Sequence, residues 1–214
     1  MKHVLDGYKV LDLTQFLAGP AATRVMVEAG AEVIKIEWPG GDPSRKFPFL
    51  GKDGRSAYYV QQNRGKRSVA VDLKTPEGVT IVKELAAQSD VLIENFAPGV
   101  MDRLGLGYDA IKAVNPRIVM CAISAFGQTG PLAQLPGFDN IGQAYSGITS
   151  MIGDPDKPPA FPMAAIGDVS TGVHAACAIA FALLYRERTG KGQYLDISLL
   201  DSYFHYHEVN VQAW

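Results

Sequence analysis

Apolar and polar positions fall into two alternating rhythms along this chain. Val10-Leu11-Asp12-Leu13 is a short apolar run that predicts a first strand. Gly19-Pro20 then opens a helix that runs through Glu28 and is stopped by Gly30. Glu32 to Glu37 alternates with period two and ends just before Pro39, the pattern of a second strand. Trp38 to Gly54 is rich in Gly, Pro and charge and predicts an exposed loop. Ser68 to Leu73 reads as a third strand. Thr75 as cap and Pro76 at the first position start a helix with Val79, Val82, Leu85 and Ala86 on one face. Asp90 to Phe96 and Arg117 to Ile123 are further strands with a helical stretch between them.

After Ser124 the pattern changes. A Gly/Pro-rich stretch to Pro162 holds one short helical segment, and a long helix follows from about Val169 to Arg186. Gln193 to Leu200 predicts a last strand, and Asp201 to Trp214 a final helical pattern. Strand–helix alternation of this kind predicts an α/β fold with a mainly parallel, Rossmann-like sheet. Ile118 to Ile123 is apolar at nearly every position, as a strand covered on both faces requires.

Composition narrows the function classes. With 47% hydrophobic and 20% charged residues the chain is globular, and 214 residues suit one domain or little more. Its formal charge of -2 supplies no electrostatic drive toward nucleic acid or an anionic membrane. The most apolar run, Ala175 to Tyr185, is about half of the ~20 residues a membrane span needs. The amino end lacks an apolar stretch behind its charge, and Cys121 and Cys177 read as reduced core residues. A cytoplasmic protein is expected.

Familiar motifs are mostly missing. No G-x-G-x-x-G follows the first strand, and Val60 stands where a P-loop ending in Gly65-Lys66-Arg67-Ser68 would need glycine. Two cysteines cannot build a structural zinc site, and His205-Tyr206-His207 is misspaced for one helical face, so no metal is expected. No G-x-S-x-G elbow supports a serine hydrolase. Three polar segments remain at strand ends and helix starts, where open α/β sheets bind ligands. Asn95 to Gly99 follows the fourth strand. Asn63-Arg64-Gly65-Lys66-Arg67 is either a solvated charged loop or a site for a phosphorylated ligand. In Gly167-Asp168-Val169-Ser170-Thr171-Gly172 a lone carboxylate opens the long helix. Asp168 reads as an ordinary helix N-cap, as a nucleophile toward an activated carbonyl, or as both. The helix start is expected to hold it ionised.

Taken together, these segments resemble the class III coenzyme A transferase family, the CaiB/BaiF type that includes formyl-CoA transferase-like enzymes and the α-methylacyl-CoA racemases. The resemblance rests on Gly7 to Thr14, Gly19-Pro20, Gly30 to Glu37, Gly65 to Ser68, Leu73 to Gly78, Asp90 to Phe96, Gly127 to Pro131 and Gly167-Asp168, all in order. It implies the first half of an interlocked-dimer fold. Residues 1–200 would form the amino-terminal part of a CoA-binding and catalytic large domain, and 201–214 the start of a connection toward a second, smaller domain. It implies an acyl-CoA and a small carboxylic acid as substrates, no prosthetic group, and Asp168 as the nucleophile that forms an aspartyl anhydride and then an aspartyl-CoA thioester. CoA contacts carried over are Leu17, Ala18, Trp38, Val71, Asp72, Leu73, Lys74, Asn95, Phe96, Ala97, Arg103, Gly137, Phe138 and Asp139, with Lys74 and Arg103 as phosphate partners.

This sequence departs from the family pattern at three places. Relatives commonly carry Arg at the position of Trp38, which can stack on adenine and cannot pair with phosphate. Oxalate-handling members carry Gln at the position of Leu17; here Gln15 is the nearest amide. Racemases need a His where Phe138 stands, and a phenyl ring moves no protons, so transfer is expected over racemisation. Family members are about twice as long as this chain. A homodimer, a separate carboxyl-terminal half chain, or a non-catalytic CoA-binding half all remain open as assembly states.

Overall fold

A computed structural model of the chain describes residues 3–48, 50–162, 164–209 and 211. Six strands form one sheet: β1 (Lys9–Asp12), β2 (Glu32–Glu37), β3 (Arg67–Ala70), β4 (Val91–Glu94), β5 (Val119–Ser124) and β6 (Gln193–Ser198). Their order is β3-β2-β1-β4-β5-β6 and every neighbouring pair is parallel. This is the expected α/β architecture.

Alternation along the central strands sends side chains to two cores. Val10, Val33, Val91, Ile93, Cys121 and Ile123 face one side, covered by α1 (Ala18–Glu28) and α7 (Ile166–Thr189). Leu11, Ile36, Leu92 and Met120 face the other, covered by α3 (Pro76–Ala87), α4 (Val100–Arg103) and α5 (Tyr108–Val114). Strands buried on both faces must be apolar on both, which is why β4 and β5 lack a polar face. Thr75 caps α3, its Oγ1 accepting from Gly78 N at 3.1 Å.

Small residues bring α7 onto α1. A Cβ added at Gly172 would stand 2.6 Å from the Ala18 carbonyl oxygen and 2.9 Å from the Ala21 Cβ. With mean hydropathy 1.5 over its most apolar stretch, the 24-residue α7 is long and apolar enough to cross a bilayer. Here it is the crossover between β5 and β6, packed on α1 and the sheet.

Four readings of the sequence are corrected. Cys177 lies exposed on α7, and only Cys121 belongs to the core. The stretch after β2 is no open loop: it holds a 3-10 turn (Pro43–Lys46) with Asp42 and Ser44 buried, and α2 (Ala57–Asn63) follows it. These pieces are fixed by polar bonds to Glu37, which accepts from Arg45 Nε and Nη2, Tyr59 Oη and the Asp42 N–H at 2.7 Å each, and from Ser68 Oγ at 2.6 Å. The long helix starts at Ile166, earlier than the periodicity placed it. The last helix, α8, spans Leu199–Phe204, capped by Ser198, and begins inside what the pattern assigned to a strand. Residues 205–209 form turns, and positions 210 and 212–214 of the final helical pattern lie outside the described residues. The Gly/Pro-rich stretch carries its short helix, α6 (Asp139–Tyr145), and a second 3-10 turn (Ile148–Met151).

Candidate active site

Connections run outward in one direction from β1 and in the other from β4, so a crevice opens between them at their carboxyl ends. Its floor is a buried charge network. Asp12, the last residue of β1, accepts from Thr14 N at 2.9 Å, Thr14 Oγ1 at 2.5 Å, Thr23 Oγ1 at 2.6 Å and Lys66 Nζ at 3.0 Å. Lys35 Nζ donates to the Thr14 carbonyl at 2.6 Å and pairs with Asp42 at 3.2 Å. Burial alone would raise the Asp12 carboxyl; Lys66, then Lys35 and the two threonine hydroxyls, hold it well below the usual carboxylate range.

The network fixes the loop that follows. Phe16 has φ 61°, the one non-glycine positive φ among the described residues, and a bulky residue stays there only when its surroundings impose it. Gln15 N donates to Asn95 Oδ1 at 2.7 Å and Asn95 Nδ2 donates to the Gln15 carbonyl at 2.8 Å. That reciprocal pair ties the β1 loop to the β4 loop across the crevice.

Two cavities adjoin there, sharing Gln15 and Phe96 as a common wall. The larger, about 550 Å³, takes in Trp38, Asp72, Leu73 and Lys74 of the residues singled out from the sequence. The smaller, about 310 Å³, takes in Leu17, Ala18, Asn95, Ala97, Gly137, Phe138 and Asp168. Three others line neither cavity. Val71 is buried in the core, Arg103 is exposed on α4 with its guanidinium near Gly99, and the buried Asp139 is bonded to Tyr203 and Gly167.

Asp168 is not the N-cap of α7. Ala165 holds that place without a side-chain bond, and Asp168 is the third helical residue. Nor does the helix start hold the carboxyl ionised. Burial, seconded by the charge of Asp139, pushes it up to about 7. Desolvation of the charged form outweighs the favourable dipole at this depth. The Tyr58 phenol is pushed up to about 12 by burial and then by Asp168, which places it near that carboxylate. The Tyr58 ring stands 5.0 Å from Phe47, and Phe16 stands 6.1 Å from both Phe47 and Phe138. Phe16, Phe47, Tyr58 and Tyr203 escaped sequence reasoning. Only the Ser56 cap ahead of Ala57-Tyr58-Tyr59 signalled a helix in that region.

The basic segment 63–67 is spent internally. Lys66 is bound to Asp12, Arg64 to Glu28, and Arg67 to Glu32 at 2.9 Å. None of these residues lines either cavity. No group of His, Cys, Asp and Glu among the described residues is arranged to hold a metal ion.

Comparison with known proteins gives a consistent result. The sequence matches the family described as CoA-transferase family III over residues 5–213. It is 46% identical over 201 residues to the succinyl-CoA:glutarate CoA-transferase of Homo sapiens, covering 92% of this chain and 45% of the relative. Identity is 44% over 216 residues with the acetyl-CoA:oxalate CoA-transferase of Acetobacter aceti, covering 100% and 55%. The crystal structure of a CaiB/BaiF family protein from Brucella suis superposes with TM-score 0.93 at 41% identity, covering 100% of this chain and 57% of that one. The chain thus spans about half the length of the curated relatives it matches.

Proposed function

The chain belongs to CoA-transferase family III, and from that premise we propose that it carries the CoA cleft and the nucleophile of an enzyme moving coenzyme A from an acyl-CoA to a carboxylic acid. The observation that carries this reading is Asp168 in the wall of a small cavity that opens beside a larger one containing Lys74. A long thioester substrate fits such a pair, its phosphate end toward Lys74 and its reacting carbonyl toward Asp168.

In the proposed sequence an Asp168 carboxylate oxygen attacks the thioester carbonyl, the C–S bond breaks, and CoA leaves as thiolate. The thiolate then attacks the aspartyl carbonyl of the mixed anhydride. This frees the donor acid and leaves an aspartyl-CoA thioester. An acceptor carboxylate repeats the exchange in reverse: it displaces CoA to form a second anhydride, and the thiolate takes the new acyl group and restores Asp168. Every step trades a thioester for an anhydride or back, so charge and protons balance without an external activator. In the whole protein the remaining half and a second copy of the subunit would complete the acid pocket.

Intact-protein mass spectrometry after incubation with a panel of acyl-CoAs tests the reading. Succinyl-, glutaryl- and acetyl-CoA suit the panel, given the relatives. An acyl-sized or CoA-sized increment that vanishes in Asp168→Asn is the expected result. An increment that survives in Asp168→Asn would remove Asp168 from the role.

A further inference from the structure

Asp168 is presented by a helix that does not cap its own start. Ala165 offers no polar side chain, so the Gly167 N–H in the first turn has no partner within α7. Two groups from other elements take it. The Tyr203 hydroxyl of α8 accepts from Gly167 N at 2.9 Å, and the Asp139 carboxylate of α6 accepts from it at 3.2 Å. The same Tyr203 hydroxyl donates to that Asp139 oxygen, closing a three-membered knot. Both side chains are buried, Tyr203 at 2% exposure and Asp139 at 8%.

The packing is tight enough to dictate the residue between them. A Cβ at position 167 would collide with the Tyr203 ring and stand 2.5 Å from Asp139 Oδ1. The ring also lies beside Gly142 of α6, where an added Cβ would stand 3.5 Å from Tyr203 Cδ2. Tyr203 therefore packs against a glycine of α7 and a glycine of α6, with its hydroxyl on the residue next to Asp168.

We propose that Tyr203 and Asp139 are positioning residues for Asp168: together they cap α7 from outside and fix the direction in which Asp168 enters the smaller cavity. For its catalytic consequence the inference rests on Asp168 being the nucleophile; the clamp itself does not. The groups facing Asp168 are Asp139 from α6, Tyr58 from α2 and Tyr203 from α8. Asp139 is the acidic neighbour among them and raises Asp168 electrostatically, so it acts on Asp168 directly as well as through Gly167.

Two variants separate these actions. Tyr203→Phe removes the hydroxyl and keeps the ring and the Asp139 charge. Asp139→Asn keeps an acceptor for Gly167 and removes the charge. Three readouts apply: exchange of the Gly167 amide, carbon-13 titration of the Asp168 carboxyl assigned with Asp168→Asn, and the rate of acyl-adduct formation. Tyr203→Phe is expected to speed Gly167 exchange about tenfold and slow adduct formation about tenfold, with half-saturating acyl-CoA within about twofold of the parent. Asp139→Asn is expected to move the Asp168 titration to lower pH by about one unit. Unchanged Gly167 exchange in Tyr203→Phe together with an unmoved titration in Asp139→Asn would overturn the proposal. Responsive exchange and titration alongside an adduct that survives in Asp168→Asn would sustain the clamp and defeat the nucleophile assignment. Adduct formation in the parent at a rate that neither variant alters would do the opposite.

Discussion

At neutral pH a carboxyl with its midpoint at about 7 is charged in only about half of the molecules, and attack on a thioester needs the charged form. The rate of acyl-adduct formation is therefore expected to rise with pH, about tenfold between pH 6 and a plateau near pH 8, in stopped reactions read by mass. The same shift acts on stability. Because the fold raises this group above the free aspartate value, the folded chain favours its neutral form. Asp168 costs nothing at pH values below the free value, and the cost grows as pH climbs toward 7. By linkage Asp168→Asn should stabilise the chain by an amount of order 4 kcal/mol above pH 8 and about 1.5 kcal/mol at pH 5, in urea titrations at both pH values. A gain independent of pH would mean that burial is not what lifts the group. Glu94 is a second such case, pushed up to about 8 by burial while one oxygen accepts from Phe96 N at 2.7 Å. Phe96 belongs to both cavities, so this neutral carboxyl steadies their shared wall.

Elements held by apolar contact were legible in the sequence, and elements held by polar contact were not. Strands β1, β2, β4 and β5, with α1, α3 and α7, announce themselves because a double-faced core needs runs of apolar residues that nothing else explains. The 3-10 turn after β2 and α2 carry no such stripe; their order comes from Glu37, whose five bonds join residues far apart in sequence. Long-range polar pairing leaves no periodic trace. The same blindness made Lys66 look like a surface cation, although its side chain is 1% exposed against Asp12. Lys66→Ala strands that carboxylate and should cost about 3–5 kcal/mol by denaturant unfolding, far above a surface lysine. At the α1–α7 contact the controlling feature is space. Gly172→Ala would push a methyl into the Ala18 carbonyl and should cost about 1–3 kcal/mol, seen as a lower Tm with unchanged secondary structure.

On the scale of the whole molecule, the switch point between β1 and β4 selects where a ligand goes, and a net charge of -2 gives no general attraction to an anion. Binding of a polyanionic nucleotide must then depend on few groups. Among the described residues lining the larger cavity, Lys74 is the one cation. Lys74→Ala should weaken CoA binding about tenfold and flatten its salt dependence in calorimetry; equal affinity would move the phosphate contact elsewhere, with Arg103 next in line. The position of the crevice could be inferred from strand order alone, whereas its division into two chambers could not, since the shared wall of Gln15 and Phe96 is held by a Gln15–Asn95 pair that joins residues 80 apart.

The clamp on Gly167 also bears on the order in which the protein comes into being. Synthesis proceeds from the amino end, and domains begin to organise as they emerge. The strands β1 to β4 and the loops that bound the larger cavity leave the ribosome well before Asp168, and Tyr203 leaves later still. A nascent chain halted after α7 and before α8 would carry Asp168 with Asp139 already made and without the Tyr203 half of its clamp. On the proposed reading, the orientation of Asp168 is then completed after the strands and loops around the larger cavity have been made.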